Sequence, residues 1–197
     1  RIAALVLAAG QSRRMGRRNK LLAEIDGVPM VARVVDAVLS SEASPVLVVT
    51  GHQPKRVARA LGGREIETVH NRDFDQGLST SLRVGLEALA ADIDGVVVLL
   101  GDMPRVTARH IDRLAAAFDP LEGRAICVPT YDGKRGNPVL FSTEFLAEMR
   151  GVAGDVGARH LIGLHEDLVA EVAMDDNAIF LDIDTPEALT AIGGDAA

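Results

Sequence analysis

Along this chain, apolar runs of strand length alternate with stretches whose apolar residues recur every three to four positions. Ile2 to Ala9 is a nearly unbroken apolar run closed by Gly10, the pattern of a central parallel strand buried on both faces. Pro29 predicts the start of a helix through Val31, Val34, Val35 and Val38, closed by Ser40 and Ser41. Pro45 to Thr50 reads as a second strand, Pro54 to Leu61 as a short basic helix and Glu65 to His70 as a third strand. Ser79 is placed to cap a helix whose face carries Leu82, Leu86 and Leu89. Val96 to Leu100 is the strongest strand signal and runs into Gly101-Asp102-Met103-Pro104; Thr107 then caps a helix with Ile111, Leu114 and Phe118. Ala125 to Pro129 and Val139 to Phe141 read as strands, with a turn signal at Asp132-Gly133 between them. Ser142 or Thr143 opens a helix toward Met149, and the Gly- and Asp-rich segment Gly151 to Gly157 leads into another, Ala158 to Leu164. Leu168 to Ala173 and Ile179 to Ile183 read as strands, and Pro186 starts a last short helix.

Such alternation predicts one α/β domain over residues 1–197, with a mostly parallel sheet between two helical layers. In these sheets ligands gather at the carboxyl ends of the strands, which directs attention to the residues just beyond Ala9, His70, Leu100 and Ile183. Aromatics make up only 3% of the chain, so the core has to be built from Ala, Val, Leu and Ile. The lone Cys127 lies inside the apolar run Ala125–Val128 and reads as a buried small hydrophobe, with a reducing cytoplasm as the expected location. A net charge of −7 argues against a general nucleic-acid binder. No stretch is long and apolar enough to span a membrane, and the opening Arg1 to Leu5 lacks the shape of a signal peptide. The five histidines, His52, His70, His110, His160 and His165, show no metal-ligand spacing and read as surface or structural residues.

Against the acidic background, Arg13, Arg14, Arg17, Arg18 and Lys20 cluster in the loop after the first strand. On charge alone this is either a local anion site or a solvated loop. Its position and its glycines favour an anion. Gly10 and Gly16 allow the backbone N–H groups to approach phosphate oxygens, while Arg14 and Lys20 add full positive charge. A P-loop is excluded because Lys20 is followed by Leu21, and a dinucleotide fingerprint because Gly10 is followed by Gln11-Ser12. Asp102 at the end of the strongest strand is where a Mg²⁺ ligand belongs if the first-strand loop holds phosphates. Asp182 and Asp184, on one face if their segment is extended, offer a second carboxylate pair; a helix cap around Thr185 and Pro186 is the alternative for Asp182.

At these positions the chain resembles the MobA-like NTP transferases. Leu7-Ala8-Ala9-Gly10, Ser12-x-Arg14-Met15-Gly16 and Lys20-Leu21-Leu22 look like that family's N-terminal signature. Gly101-Asp102-Met103-Pro104 looks like its metal motif, in the Met form of the cytidylyltransferase branch. Leu181 to Glu187 is similar to its Asp-x-Asp-Thr-Pro-Glu motif, departing only at the following Ala188. Gly77-Leu78-Ser79-Thr80-Ser81-Leu82 matches its Gly-x-Ser-x-Ser-Leu segment; by physics alone this stretch serves equally as an N-capped helix without a ligand. Gly136-Asn137-Pro138 and Gly154-Asp155-Val156-Gly157-Ala158-Arg159 resemble the cytidylyl branch, which implies acceptor contacts at Asn137, Asp155 and Arg159.

The resemblance implies a Rossmann-like nucleotidyltransferase fold. It implies Lys20, Arg14 and Asp102 as catalytic residues and Asp102 and Asp184 as Mg²⁺ ligands. Leu7, Ala8, Ala9, Gly10, Ser12, Arg14, Met15, Gly16, Lys20, Gly77, Ser79 and Ser81 become nucleotide contacts. The expected reaction moves CMP from CTP onto the terminal phosphate of molybdopterin with release of pyrophosphate, and a molybdoenzyme or its chaperone would receive the product. CTP is favoured over GTP because Ala9 stands where the guanylyl branch has glycine, and its methyl would crowd a purine. Guanylyl transfer, another small phosphate acceptor, and an NAD(P)H-dependent oxidoreductase on the same scaffold are the alternatives.

Overall fold

Alternate residues of the first strand face two different cores, which makes the molecule three layers thick. The computed structural model describes residues 1–11, 19–154 and 158–195. In chain order its elements are β1 (Ile2–Ala8), β2 (Glu24–Ile25), β3 (Val28–Pro29), α1 (Met30–Leu39), β4 (Val46–Thr50), α2 (Pro54–Ala60), β5 (Glu67–His70), α3 (Leu78–Ala88) and β6 (Gly95–Leu100). They continue with α4 (Ala108–Ala117), β7 (Ile126–Tyr131), β8 (Lys134–Arg135), β9 (Val139–Ser142), α5 (Leu146–Arg150), α6 (Arg159–Leu164), β10 (Val169–Ala173), α7 (Pro186–Ala191) and β11 (Gly194–Asp195).

The main sheet runs β10-β7-β9-β6-β1-β4-β5, with β8 added beside β7. β1, β4, β5 and β6 are mutually parallel neighbours, as are β7 and β10, while β9 runs against both β6 and β7. Ala4, Val6 and Ala8 of β1 pack with Val31, Val34, Val35 and Val38 of α1, Val57 of α2 and Ile111 and Leu114 of α4. Leu5, Leu7 and Ala9 point the other way, onto Leu82 and Leu86 of α3, Met149 of α5 and Leu161 and Ile162 of α6. A strand with period-two side chains buried on both faces needs an unbroken apolar run, and Ile2–Ala9 provides one. Among the described residues no helix is long and apolar enough to cross a membrane.

Three predicted features differ. Ile179–Ile183 is not a strand. Ala178–Phe180 forms a single 3-10 turn, and the chain beyond it joins no ladder among the described residues. Apart from local turn bonds, its backbone bonds go singly to two different loops, Asn137 N–H to Ile179 O and Ile183 N–H to Asp102 O. Helix α3 starts at Leu78 with Gly77 in the capping position, so Ser79 lies within the first turn and caps nothing. Gly77 has φ +110° and ψ 170°, a conformation that favours glycine. The third difference is an additional small sheet, β11-β2-β3, in which Asp26 and Gly27, both at positive φ, close a two-residue hairpin.

Cys127 lies in the core as expected, and burial pushes its thiol up to about 11. At pH 7 that leaves roughly one molecule in ten thousand as the reactive thiolate. Native protein is therefore expected to react with a disulfide reagent at least about a hundredfold more slowly than urea-unfolded protein. Equal labelling rates would show Cys127 to be accessible.

Candidate active site

Lys20 is nine-tenths buried, unusually for a lysine, and it heads a short 3-10 turn, Lys20–Leu22. Asn19 prepares this turn: its side-chain oxygen accepts the Leu21 N–H, and it too is buried. Leu21 anchors the turn in the α1-side core. From this fixed point the Lys20 ammonium donates to Asp102 Oδ2 and to Asp184 Oδ1, each at 2.5 Å. One cation thus joins the end of β6 to the segment before α7.

The electrostatics follow from burial. Burial alone would push the Lys20 ammonium down, but Asp102 and Asp184 together outweigh it and hold the pKa above the ordinary lysine value. Burial raises the Asp102 carboxyl despite the opposing pull of Lys20, and the charges of Asp182 and Asp184 add to the rise. Asp102 Oδ1 is buried and has no hydrogen-bond partner among the described residues, a state that stabilises nothing unless a ligand supplies one. Among the described residues no group of three or more His, Cys, Asp or Glu side chains is gathered as a metal cage. Mg²⁺ needs no such cage when a nucleotide is present, since it takes one or two carboxylates and fills its sphere with phosphate oxygens and water. An orphaned carboxylate oxygen on Asp102 beside Asp184 is a donor set of that kind.

Around this cluster opens a cavity of about 650 Å³ lined by Leu7, Ala9, Gly10, Gln11, Lys20, Leu21, Gly77, Ser81, Asp102, Asp182 and Asp184 among others. Its far wall is the 3-10 turn Phe74–Gln76. Asn71 holds that turn: its amide donates to Thr80 Oγ1 (2.8 Å) and Ser81 Oγ (2.9 Å), and its oxygen accepts the Asp73 N–H (3.0 Å). A second cavity of about 510 Å³ adjoins the first and shares Leu7, Leu78, Leu100 and Asp182 with it. Its walls are largely apolar, with Met103, Val139, Phe141, Ile179 and Phe180, and its polar groups are Asn137, Arg135, Arg159 and Asp182. Arg135 is held in place by a two-pronged bond to Glu166 (2.6 and 2.9 Å) and a third to Glu171 (2.7 Å), which raises its guanidinium and lowers the Glu166 carboxyl.

The structure therefore brings Leu7, Ala9, Gly10, Lys20, Gly77, Ser81, Asp102 and Asp184 to one cavity, and Asn137 and Arg159 to its neighbour. Ala8 is not at the cavity. Strand alternation turns its side chain into the α1-side core. Ser79 is also absent from the lining: its side chain is buried, and its N–H is taken by Gly154 O. Ser12, Arg14, Met15, Gly16 and Asp155 lie outside the described residues. Ala9 lines the cavity but is almost fully buried, its methyl close to Gly51, which also lies against Phe74. Asp182 and Asp184 do share a side, although not through a strand. Ile183 between them is buried against Met30 and Leu189 while both neighbours line the cavity.

The sequence reading missed Phe74, Gln76, Ile179, Phe180 and Arg135. For Phe74–Gln76 a signal existed, the Asn-x-Asp and Gly that bracket it after a predicted strand.

A carboxylate and a buried lysine at adjacent strand ends, beside two joined cavities, make a geometry for handling polyanions. The profile described as MobA-like NTP transferase domain matches residues 4–171. The chain belongs to the MobA-like NTP transferase family. It is 32% identical over 192 residues to purine catabolism protein PucB of Bacillus subtilis, covering 92% of this chain and 90% of that one. To nicotine blue oxidoreductase of Paenarthrobacter nicotinovorans it is 25% identical over 94% of this chain and 93% of the relative. It spans only about a quarter of the bifunctional protein GlmU of Sorangium cellulosum (26%), at 34% identity over 125 residues. Among solved structures, Rv0371c of Mycobacterium tuberculosis in complex with manganese superposes with a TM-score of 0.83 at 25% identity, covering 98% of this chain and 97% of that one. This MobA-like chain is thus a nucleotidyltransferase with the three-layer α/β fold of its relatives, and one structural neighbour is a manganese complex.

The ion cluster yields a stability prediction. In metal-free buffer, Lys20→Met is expected to lower the unfolding free energy by about 3 kcal/mol, because removing one partner of a buried pair leaves an uncompensated charge. Urea denaturation at pH 7 measures it. A loss under about 0.5 kcal/mol would mean that Lys20 does not balance Asp102.

Proposed function

We propose that this nucleotidyltransferase moves CMP from CTP onto the terminal phosphate of a molybdopterin-type acceptor and releases pyrophosphate, with Mg²⁺ as its metal. The observation that carries the reading is the Lys20–Asp102–Asp184 cluster in the first of two adjoining cavities, the one bordered by Gly10, while Asn137 and Arg159 border the other. Two cavities meeting at a charged boundary suit a two-substrate transfer. The nucleotide occupies the first, the acceptor the second, and their phosphates meet beside Asp182.

In this reaction a terminal phosphate oxygen of the acceptor attacks the α-phosphorus of CTP in line. The new O–Pα bond forms as the bond from Pα to the bridging oxygen of the β-phosphate breaks, and pyrophosphate leaves with that electron pair. No covalent enzyme intermediate is needed, and Cys127 is too deeply buried to supply one. Lys20 gives positive charge to the triphosphate and to the departing pyrophosphate, a task for which its raised pKa keeps it protonated. Arg14 adds charge from the loop. Asp102 and Asp184 would hold Mg²⁺, which would supply positive charge against the phosphates. Leu7, Ala9, Gly10, Gly77 and Ser81 border the nucleotide, and Ser12, Met15 and Gly16 complete the phosphate loop. Asn137 and Arg159, which line the second cavity, position the acceptor, a role proposed for Asp155 as well. The base assignment rests on Met103 and Ala9, which follow the cytidylyl pattern; a guanylyl transferase of the same plan is the nearest alternative.

One observation favours a different chemistry: the near full-length likeness to nicotine blue oxidoreductase. Titration with NADPH separates the two. Binding of NADPH tighter than CTP with Mg²⁺ would favour the redox reading.

Asp102→Asn is expected to lower pyrophosphate release from CTP plus molybdopterin by at least about a hundredfold with the far-UV spectrum unchanged, the scale of removing one preorganised electrostatic group. Near-normal release would refute the assignment of Asp102. In parallel assays CTP is expected to outrun GTP at least about tenfold, or about 1.4 kcal/mol; the reverse order would make this a guanylyltransferase.

A further inference from the structure

Among the described residues the segment that carries Asp182 and Asp184 pairs with no strand; the Ile183 N–H bond to Asp102 O holds its far end, so something else must fix its near end. Helix α4 does. From one face of that helix Arg113 donates to Ala173 O (3.2 Å) and to Asp175 Oδ1 (3.0 Å), and Arg109 pairs with Asp175 Oδ2 at 2.8 Å. Between those arginines His110 faces Asp176, its Nε2 lying 3.3 Å from Oδ1. The same Oδ1 accepts the N–H of Ala178 at 2.8 Å, the residue that opens the turn Ala178–Phe180. Farther along, Gly136 lies so close to this turn that an added Cβ would come within 2.5 Å of Ile179 O. Ile179 and Phe180 wall the second cavity, and Asp182 and Asp184 follow at the first.

His110 is 6% exposed and stands at the third position of α4, where a capping box normally has Glu or Gln. Its Nδ1 accepts the backbone N–H of Thr107 at 3.0 Å. A backbone N–H can only donate, so as its acceptor Nδ1 carries the lone pair, to which the Thr107 hydroxyl at 2.8 Å can donate as well, and the ring proton then stands on Nε2, aimed at Asp176. The cap of α4 thereby selects the tautomer that tethers the acidic segment. A surface or purely structural histidine, as read from sequence, would satisfy the cap alone.

We propose that His110 is a positioning residue: as the Nε2–H tautomer fixed by Thr107, it docks Asp176 on α4 and so sets Asp182 and Asp184 against Lys20 and Asp102. The inference rests on the reading of Asp102 and Asp184 as the metal-bearing pair. Two variants separate the cap from the tether. His110→Gln keeps a normal capping-box acceptor but withdraws the ring N–H from Asp176. Asp176→Asn keeps an acceptor at Oδ1 to which a neutral Nε2–H can still donate, and removes only the carboxylate charge on which an ion pair would depend.

The chain has one tyrosine and no tryptophan, and Tyr131 lies with its ring centroid 6.4 Å from that of Phe180. Its emission therefore reports on the tethered segment without any metal or activity. The experiment compares acrylamide quenching of Tyr131 in the nucleotide-free protein with Mn²⁺ affinity in the presence of CTP. Relative to the unmodified protein, His110→Gln is expected to melt within a few degrees, show stronger quenching and bind Mn²⁺ about tenfold more weakly, as for a lost hydrogen bond to a charged group. Asp176→Asn is expected to stay within about twofold. If His110→Gln does not fold, Asp176→Ala reads the same tether from a side chain more than half exposed, with the same expectation. Unchanged quenching and Mn²⁺ affinity in a folded tether variant, with Asp102→Asn abolishing Mn²⁺ binding, overturns the role of His110 alone. Mn²⁺ binding that survives in Asp102→Asn overturns the metal reading itself.

Discussion

The site depends on a buried ammonium shared by two carboxylates from distant parts of the chain. Lys20, Asp102 and Asp184 are brought together by three separate devices: the capped 3-10 turn at Asn19, the end of β6, and an extended segment bonded to Asp102 through Ile183 N–H. Taking these charges out of water is unfavourable, and pairing offsets it only in part. A fold seeking stability alone would place apolar groups there. Keeping them charged, with Asp102 Oδ1 lacking a partner, describes a surface arranged for a ligand that brings its own charges.

The rest of the architecture serves this convergence. β1 and β6 are neighbours in the sheet, paired from Ile2–Gly95 to Leu7–Leu100, so the loop after one strand and the carboxylate after the other emerge side by side. Apolar residues of β1 alternate between two cores, which fixes the strand against sliding by one residue. The two cavities differ in character. One is bordered by the ion cluster, the other largely by aliphatic and aromatic side chains, with Asp182 common to both.

Much of this was legible in the sequence, and the reasons are physical. β1, β4 and β6 are buried on both faces, so their apolar runs carry no competing pattern. Asp102 stood out because it follows such a run by one glycine in a chain whose first strand leads into a basic, glycine-bearing loop. Ile179–Ile183 misled because an apolar run of strand length is also what a loop needs when it seals two cavities and a small core; the absence of a hydrogen-bonding partner is invisible in one dimension. Ser79 looked like a cap because its chemistry suits one, yet Gly77 two residues earlier takes the position through a backbone angle few other residues adopt. The small sheet was missed although Asp26-Gly27 announced its hairpin, because strands of two residues show no alternation. The pairing of His110 with Asp176 spans 66 positions, and no local spacing reveals it.

The central claim is that the Lys20–Asp102–Asp184 cluster and the Gly10 loop grip one metal-bound polyphosphate. Calorimetric titration of CTP into the protein, with Mg²⁺ and then with a chelator, tests it most directly. The account predicts one site per chain and an affinity at least about tenfold higher with the metal, a difference of about 1.4 kcal/mol. Equal affinity in the two buffers would contradict it.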